Sequence, residues 1–174
     1  VMNADGSGQT RLTWDGAYDG EPAWSPGGTR IAFTSKRSGG YAIWVMNADG
    51  SGQTQLSTQP YSENPAWSPD GSQIAYDSDG YGTGSQMLWL MNADGSNQRH
   101  VYHPWESLTD AWARSWSPDG QYVAFTRISW IYYEGDLYWT TAYLDAWDSL
   151  NPWNTIRLSG QGTDFYPDWQ TTDA

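Results

Sequence analysis

Val45-Met46-Asn47-Ala48-Asp49-Gly50 is the stretch whose reading decides the fold. It repeats Val1-Met2-Asn3-Ala4-Asp5-Gly6, which stands 44 residues earlier, and it returns 45 residues later as Leu90-Met91-Asn92-Ala93-Asp94-Gly95. Self-similarity at a period of this size marks an architecture assembled from one repeated supersecondary unit. Between the copies runs a second string, Pro22-Ala23-Trp24-Ser25-Pro26, which returns as Pro65-Ala66-Trp67-Ser68-Pro69. Weaker copies follow at Ser115-Trp116-Ser117-Pro118 and Pro167-Asp168-Trp169. A third set is Ile31-Ala32-Phe33, Ile74-Ala75-Tyr76 and Val123-Ala124-Phe125.

Each unit reads as four short strands. In the second unit these are residues 65–68, 73–77, 86–92 and 98–102. Pro69-Asp70-Gly71 makes the first turn: proline presets φ and glycine takes positive φ. Ala93-Asp94-Gly95 makes the outer hairpin turn. Asp5-Gly6, Asp49-Gly50 and Asp94-Gly95 are read as turn chemistry, with Asp bonding its own backbone. Trp24, Trp67, Trp116 and Trp169 are read as packing between neighbouring units.

Composition agrees. The 174 residues include 19 Gly, 13 Trp and 12 Tyr. Aromatic residues suit pleated, half-buried surfaces and glycine marks turns, so many short strands are expected. The net charge is −12, from 20 acids against 8 bases. An acidic surface repels phosphate backbones and anionic headgroups, so neither nucleic acid nor a lipid surface is an expected partner. With no cysteine, disulfides, thiolate catalysis and cysteine-bound zinc are excluded. No apolar run approaches the ~20 residues that cross a bilayer. The chain opens inside a motif at Val1, so the true N-terminus is expected upstream.

The combined pattern Met-Asn-Ala-Asp-Gly, Pro-Ala-Trp-Ser-Pro-Asp-Gly and Ile-Ala-Phe resembles the TolB-like, WD-related β-propeller repeat family over essentially the whole chain. The resemblance implies an all-β propeller of four-stranded blades. Full blades are expected at about 21–57, 64–102 and 113–159, with partial blades at 1–13 and 164–170. Strands at residues 1–3 and 9–13 form the first partial blade in this reading. The total is one strand short of four closed blades, so the chain reads as part of a ring, by resemblance six-bladed. A second expectation is that the incomplete pieces join between molecules in a head-to-tail self-assembly.

Function is sought where the repeat breaks. The third unit departs most. Its entry loop is read as residues 102–114, its middle loop as 127–135, and its last hairpin as stretched across 143–154. These segments carry Trp105, Trp112, Trp130, Tyr132, Tyr133, Trp147 and Trp153, the candidate partner-binding residues. Aromatic side chains beside Asp and Asn suit a protein interface or sugar stacking; they equally suit a satellite cluster covering itself.

Catalytic chemistry is not found. His100 and His103 are the only histidines, and on a strand their spacing puts them on opposite faces, so no metal site is expected. Asp77-Ser78-Asp79-Gly80 resembles the opening of a calcium loop, lacks the later acidic ligands, and reads as a solvated turn. There is no Gly-x-Ser-x-Gly elbow and no phosphate-binding glycine loop leading into a helix. Glu134, Asp136, Asp145 and Asp148 are close in sequence, which leaves paired-carboxylate glycoside cleavage open. No cofactor is implied.

The reading is therefore a non-catalytic propeller in the bacterial periplasm or outside the cell, presenting loops to a protein or glycan. Alternatives are the propeller portion of a prolyl-oligopeptidase-like hydrolase, a carbohydrate-active propeller, or a subunit of an extracellular filament or surface assembly.

Overall fold

The computed structural model describes residues 1–79, 86–101, 109–133, 136–148 and 155–158, and every regular element among them is a strand. The first sheet contains β1 (Asp19–Trp24), β2 (Arg30–Ser35), β3 (Ala42–Asn47) and β4 (Thr54–Gln55). The second contains β5 (Glu63–Trp67), β6 (Gln73–Ser78), β7 (Met87–Asn92) and β8 (Arg99–His100). The third contains β9 (Thr109–Trp116), β10 (Tyr122–Tyr133), β11 (Asp136–Asp148) and β12 (Thr155–Arg157). Each sheet is an antiparallel meander in chain order, the arrangement of a propeller blade.

Period-2 alternation explains how the blades stack. Successive residues of a strand point to opposite faces, so a blade between two others buries both. Ala32, Ile43, Val45 and Leu56 of the first blade pack against Ile74, Tyr76, Trp89 and Met91 of the second. The other face of the second blade, Ala75, Leu88 and Leu90, packs against Trp116, Val123 and Phe125 of the third. Ile31, Phe33 and Met46 face backwards, toward Leu12.

The Pro-Ala-Trp string forms a β-bulge. The β1–β2 ladder shifts between Gly20 and Ala23, and the β5–β6 ladder between Glu63 and Ala66. Pro22 and Pro65 have no N–H to give the ladder, so the irregularity falls where a bond is already missing. The preceding residues take up the bend with positive φ, Glu21 at 51° and Asn64 at 55°.

The Ser-Pro-Asp-Gly turn closes on its own side chains. Ser68 Oγ accepts from the Gln73 amide at 2.9 Å and donates to Asp70 Oδ1 at 2.6 Å, and the Ser72 amide donates to the same carboxylate at 3.0 Å. Ser117, Asp119, Gln121 and Tyr122 repeat the arrangement.

Two expectations are corrected. Residues 1–3 and 9–13 hold no strand. Val1 and Thr10 exchange two backbone hydrogen bonds and the Asn3 amide meets the Ser7 carbonyl, but among the described residues no neighbouring strand extends this hairpin into a sheet. In the third unit, residues 109–114, 127–133 and 143–148 are strand rather than loop. Their Trp, Tyr, Ile and Thr content favours extended backbone, and β10 and β11 continue pairing through it with one register shift between Ser129 and Trp130.

Candidate functional site: the elongated hairpin of the third blade

β2 and β6 are each 6 residues long, and so are β3 and β7. β10 and β11 run to 12 and 13 residues. Arg127 occupies the place of Ser35 and Ser78 in the repeat, so residues 128–133 lie beyond the end of the other blades. At about 3.3 Å per residue the hairpin projects roughly 20 Å further.

The candidate residues distribute along this hairpin. Trp112 lies on β9 opposite Thr126, and Trp147 lies on β11 opposite Val123, both within the blade body. Trp130 faces Trp139 across the ladder, just past a bulge that begins at Ser129. Tyr132 pairs with Leu137 and Tyr133 with Asp136 at the tip. The topology therefore brings Trp130, Tyr132 and Tyr133 together on the projecting ribbon, away from Trp112 and Trp147. Trp105, Trp153 and Trp169 lie outside the described residues, as does His103.

The β9 ladder ends at Thr109 opposite Ser129, and β12 pairs only with residues 145–147 of β11. Among the described residues the tip is thus a two-stranded ribbon with both backbone edges open. Open edges carry unpaired N–H and C=O groups that accept an added strand.

The repeat positions serve a different purpose. The Trp67 indole N–H donates to the Ala23 carbonyl at 3.2 Å, and the Trp116 indole to the Ala66 carbonyl at 3.1 Å. Each tryptophan thus bonds the residue just ahead of the equivalent tryptophan one blade back. Trp24 is half-exposed. Asp5, Asp49 and Asp94 accept from the amides of Ser7, Ser51 and Ser96 at 2.9 Å, and the serine side-chain bonds first, then these amide bonds, hold their carboxyls below the ordinary value. Gly6, Gly50 and Gly95 take φ of 83°, 86° and 85°.

The motif analysis missed a second bridge between blades. Gln53 Nε2 donates to the Gly50 carbonyl of its own turn and to the Leu12 carbonyl at 3.0 Å. Gln98 Nε2 does the same with Gly95 and Leu56, both at 2.8 Å. The available signal was the recurrence of Gln9, Gln53 and Gln98 three or four residues after the Asp-Gly pairs.

Ionisable groups meet at the bulged ends of β1 and β5. Tyr18 Oη donates to Glu21 at 3.2 Å, and Asn64 Nδ2 donates to Asp77 at 2.8 Å. Burial, and then the Glu21 carboxylate, push the Glu63 carboxyl up. Asp77 and Asp79 are buried, which corrects their reading as a solvated turn: Asp77 sits within β6 and takes the Asn64 amide, while Gly80 lies outside the described residues. His100 lies in β8 with its ring 5.5 Å from Trp89, and burial lowers its pKa. No group of three or more potential metal ligands occurs among the described residues. Nor is any helix there long and apolar enough to cross a membrane.

Comparison with known proteins places this architecture. The family model described as TolB beta propeller domain matches residues 1–83. A protein assigned as TolB from Agrobacterium tumefaciens is 25% identical at a TM-score of 0.62, covering 84% of this chain and 52% of that one. TolB from Acinetobacter baumannii is 21% identical at a TM-score of 0.70, covering 92% of this chain and 37% of that one. A prolyl endopeptidase shares the fold at 16% identity and a TM-score of 0.60, over 84% of this chain and 22% of that one. No curated protein matches this sequence. The chain spans about half the length of the Agrobacterium protein or less of the others. The motif strings, the stacked four-stranded sheets and these matches agree on a β-propeller, whose residues 1–83 match the TolB beta propeller family model.

Proposed function

We propose that this propeller is a non-catalytic binding module outside the cytoplasm, and that it contacts a protein partner through the projecting hairpin of its third blade. The observation that carries the reading is the doubled length of β10 and β11 relative to the equivalent strands. A lone two-stranded ribbon is marginally stable in water and needs something to cover it. Trp130, Tyr132 and Tyr133 are residue types that dominate protein interfaces. The open edges of the ribbon suit an added strand from a partner. Glycan contact is the competing occupant of the same aromatic residues.

The test is a trimmed chain in which residues 128–142 are replaced by Asn-Gly, joining Arg127 to Tyr143, which already face one another in the ladder. Intact and trimmed chains, each with a photo-crosslinker at position 126 or 144, are exposed to a bacterial envelope extract and, separately, to a glycan array. The reading expects a discrete protein adduct with the intact chain, at least tenfold weaker with the trimmed one. Equal adducts from both chains, or glycan binding that depends on the hairpin while no adduct forms, would refute it.

The fold shared with a prolyl endopeptidase favours one other reading, a propeller that serves a larger hydrolase. Hydrolysis of a prolyl peptide by the complete gene product, abolished by an active-site serine inhibitor, would establish that reading instead.

A further inference from the structure

The seam between the first two blades is bridged by a guanidinium. Arg30 opens β2 opposite Asn47 and reaches across to the second blade. Its Cζ lies 5.5 Å from the centre of the Trp67 ring, and its Nη1 donates to the Ala93 carbonyl at 3.1 Å. The seam between the second and third blades repeats this framework with a different residue in the key place. Gln73 opens β6 opposite Asn92, so it stands where Arg30 stands, and Trp116 stands where Trp67 stands. A cavity of about 670 Å³ opens there, lined by Ser68, Pro69, Asp70 and Gln73 of the second blade and by Trp116 and Asp119 of the third. Trp116 is 7% exposed, and the part of its surface left uncovered lines this cavity.

Charge differs between the two seams as well. The first blade carries Gly27 where the second carries Asp70 and the third Asp119. The turns beside the first seam thus bring one carboxylate to a seam that holds its own cation. Those beside the second bring two, and no base lines the cavity among the described residues. The Ser68 and Ser117 hydroxyls, then the Ser72 and Gln121 amides, hold these carboxyls below the ordinary value, so both are charged at neutral pH.

We propose that this cavity receives the guanidinium of an arginine on a protein partner, set over the Trp116 indole and beside the Asp70 and Asp119 carboxylates. A planar guanidinium both stacks on an indole and forks to carboxylates, whereas an ammonium acts as a point charge. The cavity is larger than one side chain fills, which leaves room for the residues flanking the arginine and favours a peptide over a free small cation. A net charge of −12 draws a basic partner toward it. The turn at residues 117–121 and the projecting hairpin lie at opposite ends of β10, so this contact is separate from the one proposed for the hairpin.

The test uses the intact chain with isotope-labelled tryptophan and follows the indole N–H resonances. The probe is acetyl-Gly-Arg-Gly-amide, with the citrulline and lysine versions as controls. The proposal expects a saturable shift of the Trp116 indole, larger than those of Trp24 and Trp67. It expects binding at least tenfold weaker for the citrulline peptide and at least threefold weaker for the lysine peptide. Gln73→Arg supplies the chain's own guanidinium, as Arg30 does in the first seam, and is expected to abolish binding. Asp119→Asn keeps the Oδ1 that accepts from Ser117 and Gln121 and removes only the charge, so it tests the site in a folded chain. Binding to Asp119→Asn is expected to weaken at least threefold. Equal affinity for the arginine and citrulline peptides would overturn the proposal. So would an unchanged affinity in folded Gln73→Arg or in Asp119→Asn, or a Trp116 resonance that does not move.

Discussion

Replacing each repeat tryptophan by alanine separates packing between blades from exposure. Trp116 is buried among Ala75, Leu88, Leu90, Val123 and Phe125, and its indole N–H is spent on the Ala66 carbonyl at 3.1 Å. A buried tryptophan removes roughly 150–250 Å² from water, which at about 25 cal/mol per Å² amounts to some 4–6 kcal/mol. Mutational experience with Trp→Ala in cores gives about 3–5 kcal/mol, a figure that includes the lost hydrogen bond. Trp24 is half-exposed, opens onto solvent and has no indole partner among its described contacts, so its removal creates no cavity. About half of that transfer free energy is at stake, or no more than about 2–3 kcal/mol. Urea unfolding followed by far-UV circular dichroism measures both. Trp116→Ala is expected to lower the midpoint further than Trp24→Ala, at unchanged slope. Equal losses at the two positions would refute the assignment of these tryptophans to contacts between blades.

The outer turns offer a matched comparison. Gly6→Ala and Gly95→Ala share the strain of a positive φ, about 1–2 kcal/mol, but a Cβ at Gly95 meets Leu56 atoms at 3.2–3.3 Å while one at Gly6 meets nothing within 4 Å. Gly95→Ala is expected to be the more destabilising by about 1 kcal/mol or more; equal melting temperatures would contradict the contact with Leu56. Glu63 gives a pH test. Its carboxyl is raised in the folded chain by burial and by Glu21, so the folded state keeps its proton to higher pH than the unfolded chain does. Stability is therefore lost as pH rises from the ordinary glutamate value of 4.5 through the raised one. Glu63→Gln is expected to flatten that decline, by less than ~1 kcal/mol because the group is partly solvated. A melting temperature that falls equally steeply in both proteins between pH 4.5 and about 7 would refute it.

The blades were legible because two local rules repeat with the sequence. Asp-Gly and Ser-Pro-Asp-Gly carry their turn geometry in their own side chains, and Ile-Ala-Phe alternates as a strand with two buried faces must. The third blade was misread for an equally local reason. Residues 127–135 and 143–154 contain none of the repeated strings, so their departure from the pattern suggested loops, although Ile, Trp and Tyr favour extended chain. The Gln53 and Gln98 bridges were illegible as local chemistry, since glutamine imposes no φ and marks no turn. Their role exists only once the preceding blade brings a carbonyl within reach. The burial of Asp77 likewise depends on Asn64, thirteen residues away across a bulge.

Four-stranded blades stack so that Trp67 and Trp116 each donate an indole N–H hydrogen bond to the blade behind. Nuclear Overhauser contacts from the indole N–H protons measure this directly. Trp67 is expected to show contacts to Ala23 and Trp24, and Trp116 to Ala66 and Trp67, with both indole protons exchanging slowly and that of Trp24 exchanging fast. Indole protons of Trp67 and Trp116 that exchange as fast as that of Trp24, without contacts across these separations, would contradict the stacked arrangement.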